Sequence, residues 1–192
     1  MPSRAGEVLE FWFGSEDDPE YGRFREEWFR KDPAFDASLT DRFADLYEEA
    51  AAGDLDDWRD DARSCLALVI VLDQLPRNMF RGEGRTHATD TAALEASTFA
   101  VEHALDRELP AFQRMFMYMP FMHSEDREDQ RRSVELFGLL AAEPGGPDVT
   151  YYAAGHREIV ERFGRFPHRN EILGRETTPE EAEFLKTEGS SF

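Results

Sequence analysis

Residues 60–75 leave no room for a polar face: Leu66, Leu68, Val69, Ile70, Val71 and Leu72 run nearly all round a helix. A helix that is apolar on every side is buried on every side, so it reads as the centre of a domain whose other helices pack about it. Pro76, which lacks an N–H and crowds the preceding turn, reads as its end. Asp73 falls three residues after Ile70 and four after Val69, and so shares their buried side. An isolated carboxylate there would cost several kcal/mol or take up a proton, so it needs a partner. Arg77, one turn on, is one candidate; Arg165 and Arg169 are others.

The rest of the chain also repeats with a helical period, without an alternating strand pattern or an Asn-Gly hairpin signal. A short helix is expected over 7–13. Asp36 opens an amphipathic one that carries Leu39, Phe43, Leu46, Tyr47 and Ala50 on one face and stops at Gly53. Thr89 or Asp90 caps a helix reaching about Arg107, and 110–119 forms a short Phe/Met-rich one. Ser124 caps the next, with Glu125 and Asp126 in its first turn, ending near Ala142. A further helix covers 149–163. The last begins at Thr178, where Pro179 takes the first position and Glu181 completes a capping box. Roughly eight or nine helices with short connectors make one all-α domain over 1–192, an array or bundle.

Charge removes several classes of function. Lys and Arg number 22 against 41 Asp and Glu, a formal net charge of −19. Such a chain repels nucleic acid phosphates and anionic membranes. Cys65 is the single cysteine and lies in an apolar run, where a thiol acts as a small hydrophobe. The N-terminal MPSRAGEVLEFWFG lacks the apolar core and cleavage site of a signal peptide, and the run 65–72 is far short of the ~20 residues that span a bilayer. The expected compartment is the cytoplasm. No sequence feature specifies an oligomeric state.

Polar residues recur on apolar faces elsewhere too. Tyr152, Ile159, Val160 and Phe163 lie at −4, +3, +4 and +7 from His156, which turns its ring inward. Asp126 and Gln130 line up with Val134, Phe137 and Ala141. Standard catalytic signatures are absent: there is no Walker A loop, G-x-G-x-x-G, G-x-S-x-G or H-E-x-x-H. The acidic run 54–61 lacks the spacing of an EF-hand. Spacing does not require His123, Asp126, His156 and His168 to hold a metal, and no cofactor is called for. Ser124 follows His123, but neighbours at a helix start point apart, so they make a poor nucleophile pair.

The strings LDQLPRNMFRG, YMPFMHSEDREDQRRSVELF and RFGRFPHRNEILGRETTPEEAEFL resemble the bacterial family Domain of Unknown Function 924, as do VLEFWFG and the segment from Trp28 to Asp36. The resemblance spans essentially the whole chain; Leu75 departs from it, standing where an aromatic is common. It implies a tetratricopeptide-like α-α superhelix. It marks Asp73, Gln74, Arg77, Asn78, His123, Ser124, Glu125, Asp126, His156, Arg165, His168, Arg169 and Asn170, and implies no activity.

Three readings follow. In the first, a small anionic or polar molecule binds in a buried polar pocket. Arg77, Arg165 and Arg169 then supply fixed charge and bidentate donors, and Gln74, Asn78, Ser124, Gln130 and Asn170 orient the ligand. His123, His156 or His168, tuned by Asp73, Glu125 or Asp126, would be the acid–base groups if the site is catalytic. In the second, the helices present an open groove to a peptide or protein. In the third, the polar residues form a satisfied core with a purely structural role.

Overall fold

The computed structural model describes residues 3–191. Its α-helices are α1 (Arg4–Phe13), α2 (Pro33–Ala52), α3 (Ala62–Val69), α4 (Leu75–Met79), α5 (Asp90–Glu102), α6 (Ala111–His123), α7 (Arg127–Ala141), α8 (Thr150–Phe163) and α9 (Pro179–Phe184). No strand occurs among the described residues. A single π-helical turn, Ile70–Gln74, joins α3 to α4, so these nine segments make eight rods.

That joined rod is the centre of the fold. Every residue of 65–76 is buried, and α3 packs against α1, α5 and α6. Each Leu or Ile buried along it stabilises the fold by about 1.5–3 kcal/mol, which is what makes a buried Asp73 tolerable. Against its α1 and α6 flank, Trp12, Phe13 and Trp28 converge edge-on upon Phe116, with ring centroids 5.6, 5.5 and 4.8 Å away. Trp28 Nε1 donates to the Trp12 carbonyl at 2.8 Å and fixes the approach. Helices α6, α7 and α8 pack in succession, and a smaller cluster of Ile159, Val160 and Phe166 lies under Phe163 and Phe184.

Pro76 does not end the central helix. The π turn accommodates it: the Leu75 N–H reaches back five residues to Ile70 O, and Pro76 falls at the start of α4, where its missing N–H is not needed. Proline still leaves the carbonyl four residues back without its helical donor. That group, Leu72 O, accepts instead from Thr89 Oγ1 at 2.6 Å. Arg77 Nη1 donates to the next carbonyl, Asp73 O, at 2.5 Å.

Other boundaries differ for equally local reasons. Asp32, not Asp36, begins α2: it accepts from the N–H groups of Ala34 and Phe35 with Pro33 in the first turn. Gly53 ends that helix in the left-handed region as expected (φ 84°). Helix α5 stops at Glu102, short of Arg107, and α6 continues through Pro120 to His123. The capping box of Thr178 and Glu181 is formed. None of the described helices is long and apolar enough to cross a membrane.

Candidate functional site

Asp73 sits in the π turn, completely buried, and three side chains meet it there. His123, the last residue of α6, brings Nδ1 within 2.8 Å of Asp73 Oδ1. Gln74 Nε2 donates to Oδ2 at 2.6 Å, and Arg77 Nη2 lies 3.4 Å from Oδ1. Burial opposes ionisation of Asp73, but Arg77 and then His123 outweigh it, and its pKa falls below the usual carboxylate value. Burial, followed by Arg77, also lowers His123, against the pull of Asp73. The pair is therefore a carboxylate beside a neutral ring. Because a carboxylate only accepts, the ring proton sits on Nδ1 and Nε2 keeps its lone pair.

Arg77 connects this pair to a second carboxylate. Its Nη1 donates to Asp90 Oδ1 at 3.0 Å, while Asp90 Oδ2 is met by His87 Nδ1 at 3.1 Å and Arg169 Nη1 at 3.4 Å. Burial opposes ionisation of Asp90 as well; Arg77, His87 and Arg169 overcome it and hold the group well below the carboxylate range. Arg169 is buried, with Cζ 4.5 Å from the Phe166 ring centroid. Its Nε has no hydrogen-bond partner among the described residues. Burial, opposed by Asp90, brings its pKa down to about 10.

Two more imidazoles complete the cluster. His156 lies 6.3 Å from His123 and 5.4 Å from Phe166 between ring centroids, and its Nδ1 donates to Tyr152 O at 2.8 Å. Burial and then His123 pull its pKa down to about 3. His168 lies 5.7 Å from Phe166, and burial followed by Arg169 takes it to about 4. Tyr152, expected beside His156 on the inward face, is 53% exposed; only its carbonyl serves the ring.

A cleft of about 230 Å³ is bounded by His87, Asp90, His123, Ser124, Glu125 and Arg169, with Leu94, Pro120 and Leu173 as its apolar lining. A second cleft of about 240 Å³, at Gly6, Tyr21 and Arg63, contains none of the motif residues. Among the described residues, no group of three or more His, Cys, Asp or Glu is placed to hold a metal ion.

The model of a family described as a bacterial protein of unknown function, DUF924, matches residues 8–189. The chain belongs to this family. A solved structure of a protein of unknown function from Agrobacterium tumefaciens is similar at 43% identity with a TM-score of 0.83, covering 95% of this chain and 96% of that one. No curated protein matches.

Each of the three DUF924 motifs thus contributes to the cluster: Asp73, Gln74 and Arg77 from the first, His123 from the second, and His168 and Arg169 from the third. Their remaining members are engaged elsewhere. Asp126 is exposed, and the inward placement expected of it is not met. Helix α7 starts only at Arg127, so Asp126 has extended backbone and lies off the helical face; its carboxylate caps Glu128 N–H at 2.7 Å. Ser124 is not that cap, and its Oγ donates to Asp129 at 2.6 Å, away from any role as a nucleophile activated by His123.

Gln130 is buried as expected, but its amide donates to the carbonyls of Met122 and Ser124, both at 2.7 Å, and closes the end of α6. Asn78 donates to Asp36 on α2 at 2.7 Å. Arg165 grips Glu181 at 2.6 and 2.9 Å, and Asn170 is held between Glu181 and Arg175. Glu125 borders the cleft but accepts from Phe166 N–H at 2.8 Å and from Arg175 at 2.6 Å. Burial resists its ionisation, Arg175 outweighs that, and the net fall in pKa suits it to bracing rather than proton transfer.

Asp90 and His87 are the cleft residues that the sequence reading missed. Asp90 reads as a helix start, and Thr89, its rival for that role, makes no side-chain cap because its hydroxyl serves Leu72. A signal was present all the same: Asp73 alone does not balance both Arg77 and Arg169, so a second acid is required.

Proposed function

We propose that this DUF924 protein binds a small polar or anionic molecule in the cleft over Asp73, Asp90, His123 and Arg169, with His123 as the acid–base group. The observation that carries the reading is the position of His123. One edge of its ring is held 2.8 Å from a buried carboxylate, and the residue also lines the cleft. A neutral imidazole oriented through Nδ1, with Nε2 unprotonated, is the form a general base takes near neutral pH.

Arg169 supports the anionic part of the reading. Among the described residues this buried guanidinium has a partnerless Nε and one 3.4 Å contact, and under-satisfied groups of this kind call for a further acceptor. The burial of Asp73, Arg169 and Asn170 speaks against a peptide groove lined by exposed motifs. The π turn under the site fits a functional role, since such turns cluster at functional sites.

A thermal-shift screen of phosphorylated and carboxylated metabolites tests the reading. It expects at least one compound that raises the melting temperature of the wild type and gives no rise in Arg169→Met. A screen without such a compound contradicts it.

A further inference from the structure

His87 repeats, at a second place on the cleft, the arrangement that singles out His123. Its Nδ1 lies 3.1 Å from Asp90 Oδ2, as His123 Nδ1 lies 2.8 Å from Asp73 Oδ1, and both residues line the cleft. Arg77 joins the two pairs: Nη1 donates to Asp90 at 3.0 Å, and Nη2 comes to 3.4 Å from Asp73. One chain of contacts therefore runs His87, Asp90, Arg77, Asp73, His123, and both of its ends are imidazoles at the same cleft.

Each ring keeps its second nitrogen open. An ionised carboxylate only accepts, so each Nδ1 carries a proton, and Nε2 is where either ring gains or gives up another. Neither Nε2 has a partner among the described residues or is a buried atom, and the two side chains are 13% and 15% exposed. The 3₁₀ turn that carries His87, Gly84–His87, is pinned at two points. Thr86 Oγ1 donates to Phe80 O, and a Cβ at Gly84 would meet the Ile172 carbonyl oxygen at 2.9 Å. The carboxylates on the cleft are committed to arginines, Asp90 to Arg77 and Arg169 and Glu125 to Arg175. The two imidazoles are the lining groups placed to move protons.

We infer that the cleft enolises a small carbonyl compound, with His123 as the base and His87 as a second proton-transfer group. His123 Nε2 takes a proton from the carbon beside the carbonyl, and the C–H electron pair forms the C=C bond. The carbonyl π pair moves to oxygen, which takes the Nε2 proton of a protonated His87. Reversal returns a proton to carbon, so the two rings complete the cycle with no co-reactant. A cleft of about 230 Å³ suits a compound of a few heavy atoms. The inference rests on the reading of the cleft as a ligand site with His123 as its base, and adds the reaction and the second group.

The test follows deuterium entering hydroxyacetone and pyruvate, one neutral and one anionic, by proton NMR with the full chain in heavy water. The wild type should exchange at least one of them about a hundredfold faster than equimolar free imidazole, the lower reach of a positioned acid or base. His87→Asn keeps an amide donor for Asp90 but no titrating nitrogen, and His123→Asn does the same for Asp73. Each should slow exchange at least about tenfold, and the double variant should be no slower than the slower single one, because the rings act in one step. His103→Asn, outside the cleft, should leave the rate unchanged.

Exchange that survives His87→Asn overturns the role of His87; its loss in His123→Asn then leaves the one-base reading standing. Exchange of both compounds no faster than with free imidazole overturns the inference whole. A metabolite screen that still yields a ligand then keeps the ligand-site reading, and an empty one removes that too. Should His87→Asn fail to fold, nitrogen NMR of the wild type decides: the compound that exchanges should move Nε2 of both rings, and movement of His123 alone overturns the inference.

Discussion

Thr89 and Leu72 are joined across the core by a single hydrogen bond: the threonine hydroxyl donates at 2.6 Å to the carbonyl that Pro76 leaves without its helical donor. The bond holds the start of α5 against the π turn, and so holds Asp90 within reach of Arg77 and Arg169. Thr89→Val removes the donor and keeps the shape. The buried carbonyl is then unsatisfied, and unfolding in urea should show a loss of about 1–3 kcal/mol. Thr89→Ser should recover most of it. Equal stability of the valine variant and the wild type would show that the π turn does not depend on this bond.

Asp73→Asn tests the charge network under the cleft. It removes the carboxylate that faces both Arg77 and His123 while keeping the side-chain size. Breaking a buried pair from one side costs about 3–5 kcal/mol, and the denaturation midpoint should fall accordingly. Asp126→Ala should cost only about 1 kcal/mol, the loss of an exposed N-cap, and should leave ligand protection intact. The reverse ranking would mean that the buried network is less consequential than an ordinary cap.

The imidazoles make stability fall in acid. His156 titrates near 3 and His168 near 4 in the folded chain, against about 6.5 when unfolded. Below about 6.5 the unfolded chain therefore binds protons that the folded one refuses, and stability drops as pH falls from there toward 4. Asp73, Asp90 and Glu125 have lowered folded values, so their contribution is present at neutral pH and is lost at still lower pH, in the same direction. Urea midpoints at pH 7, 5.5 and 4.5 should decrease in that order, and His156→Asn should flatten the first interval. A midpoint that holds steady or rises from pH 7 to 5.5 would contradict the assignment of neutral buried rings.

The fold class was legible because a helical period recurs along the whole chain without a strand signal, and the unbroken run from Cys65 to Leu72 marks the element at its centre. The capping box at Thr178 and the stop at Gly53 were legible too, since both depend on local geometry. The π turn was not, because periodicity does not separate five residues of π from α, and proline signals a stop whichever way its freed carbonyl is satisfied. Asp73, His156 and Arg169 were found as polar residues set among apolar or motif positions, and they do meet in one cluster. Asp126 was misplaced because one residue of error at a helix start moves a side chain from the buried face to the cap. Asp90 was missed because its partners, Arg77 and Arg169, lie 13 and 79 residues away, beyond any local pattern.

The state of the His123 ring is the most direct measure of the account. Long-range proton–nitrogen NMR of the full chain at pH 7 should show Nδ1 protonated and Nε2 bare, and the Nε2 resonance should move when a compound that protects the protein is added. An imidazolium, or a ring protonated on Nε2 that no such compound perturbs, would contradict it.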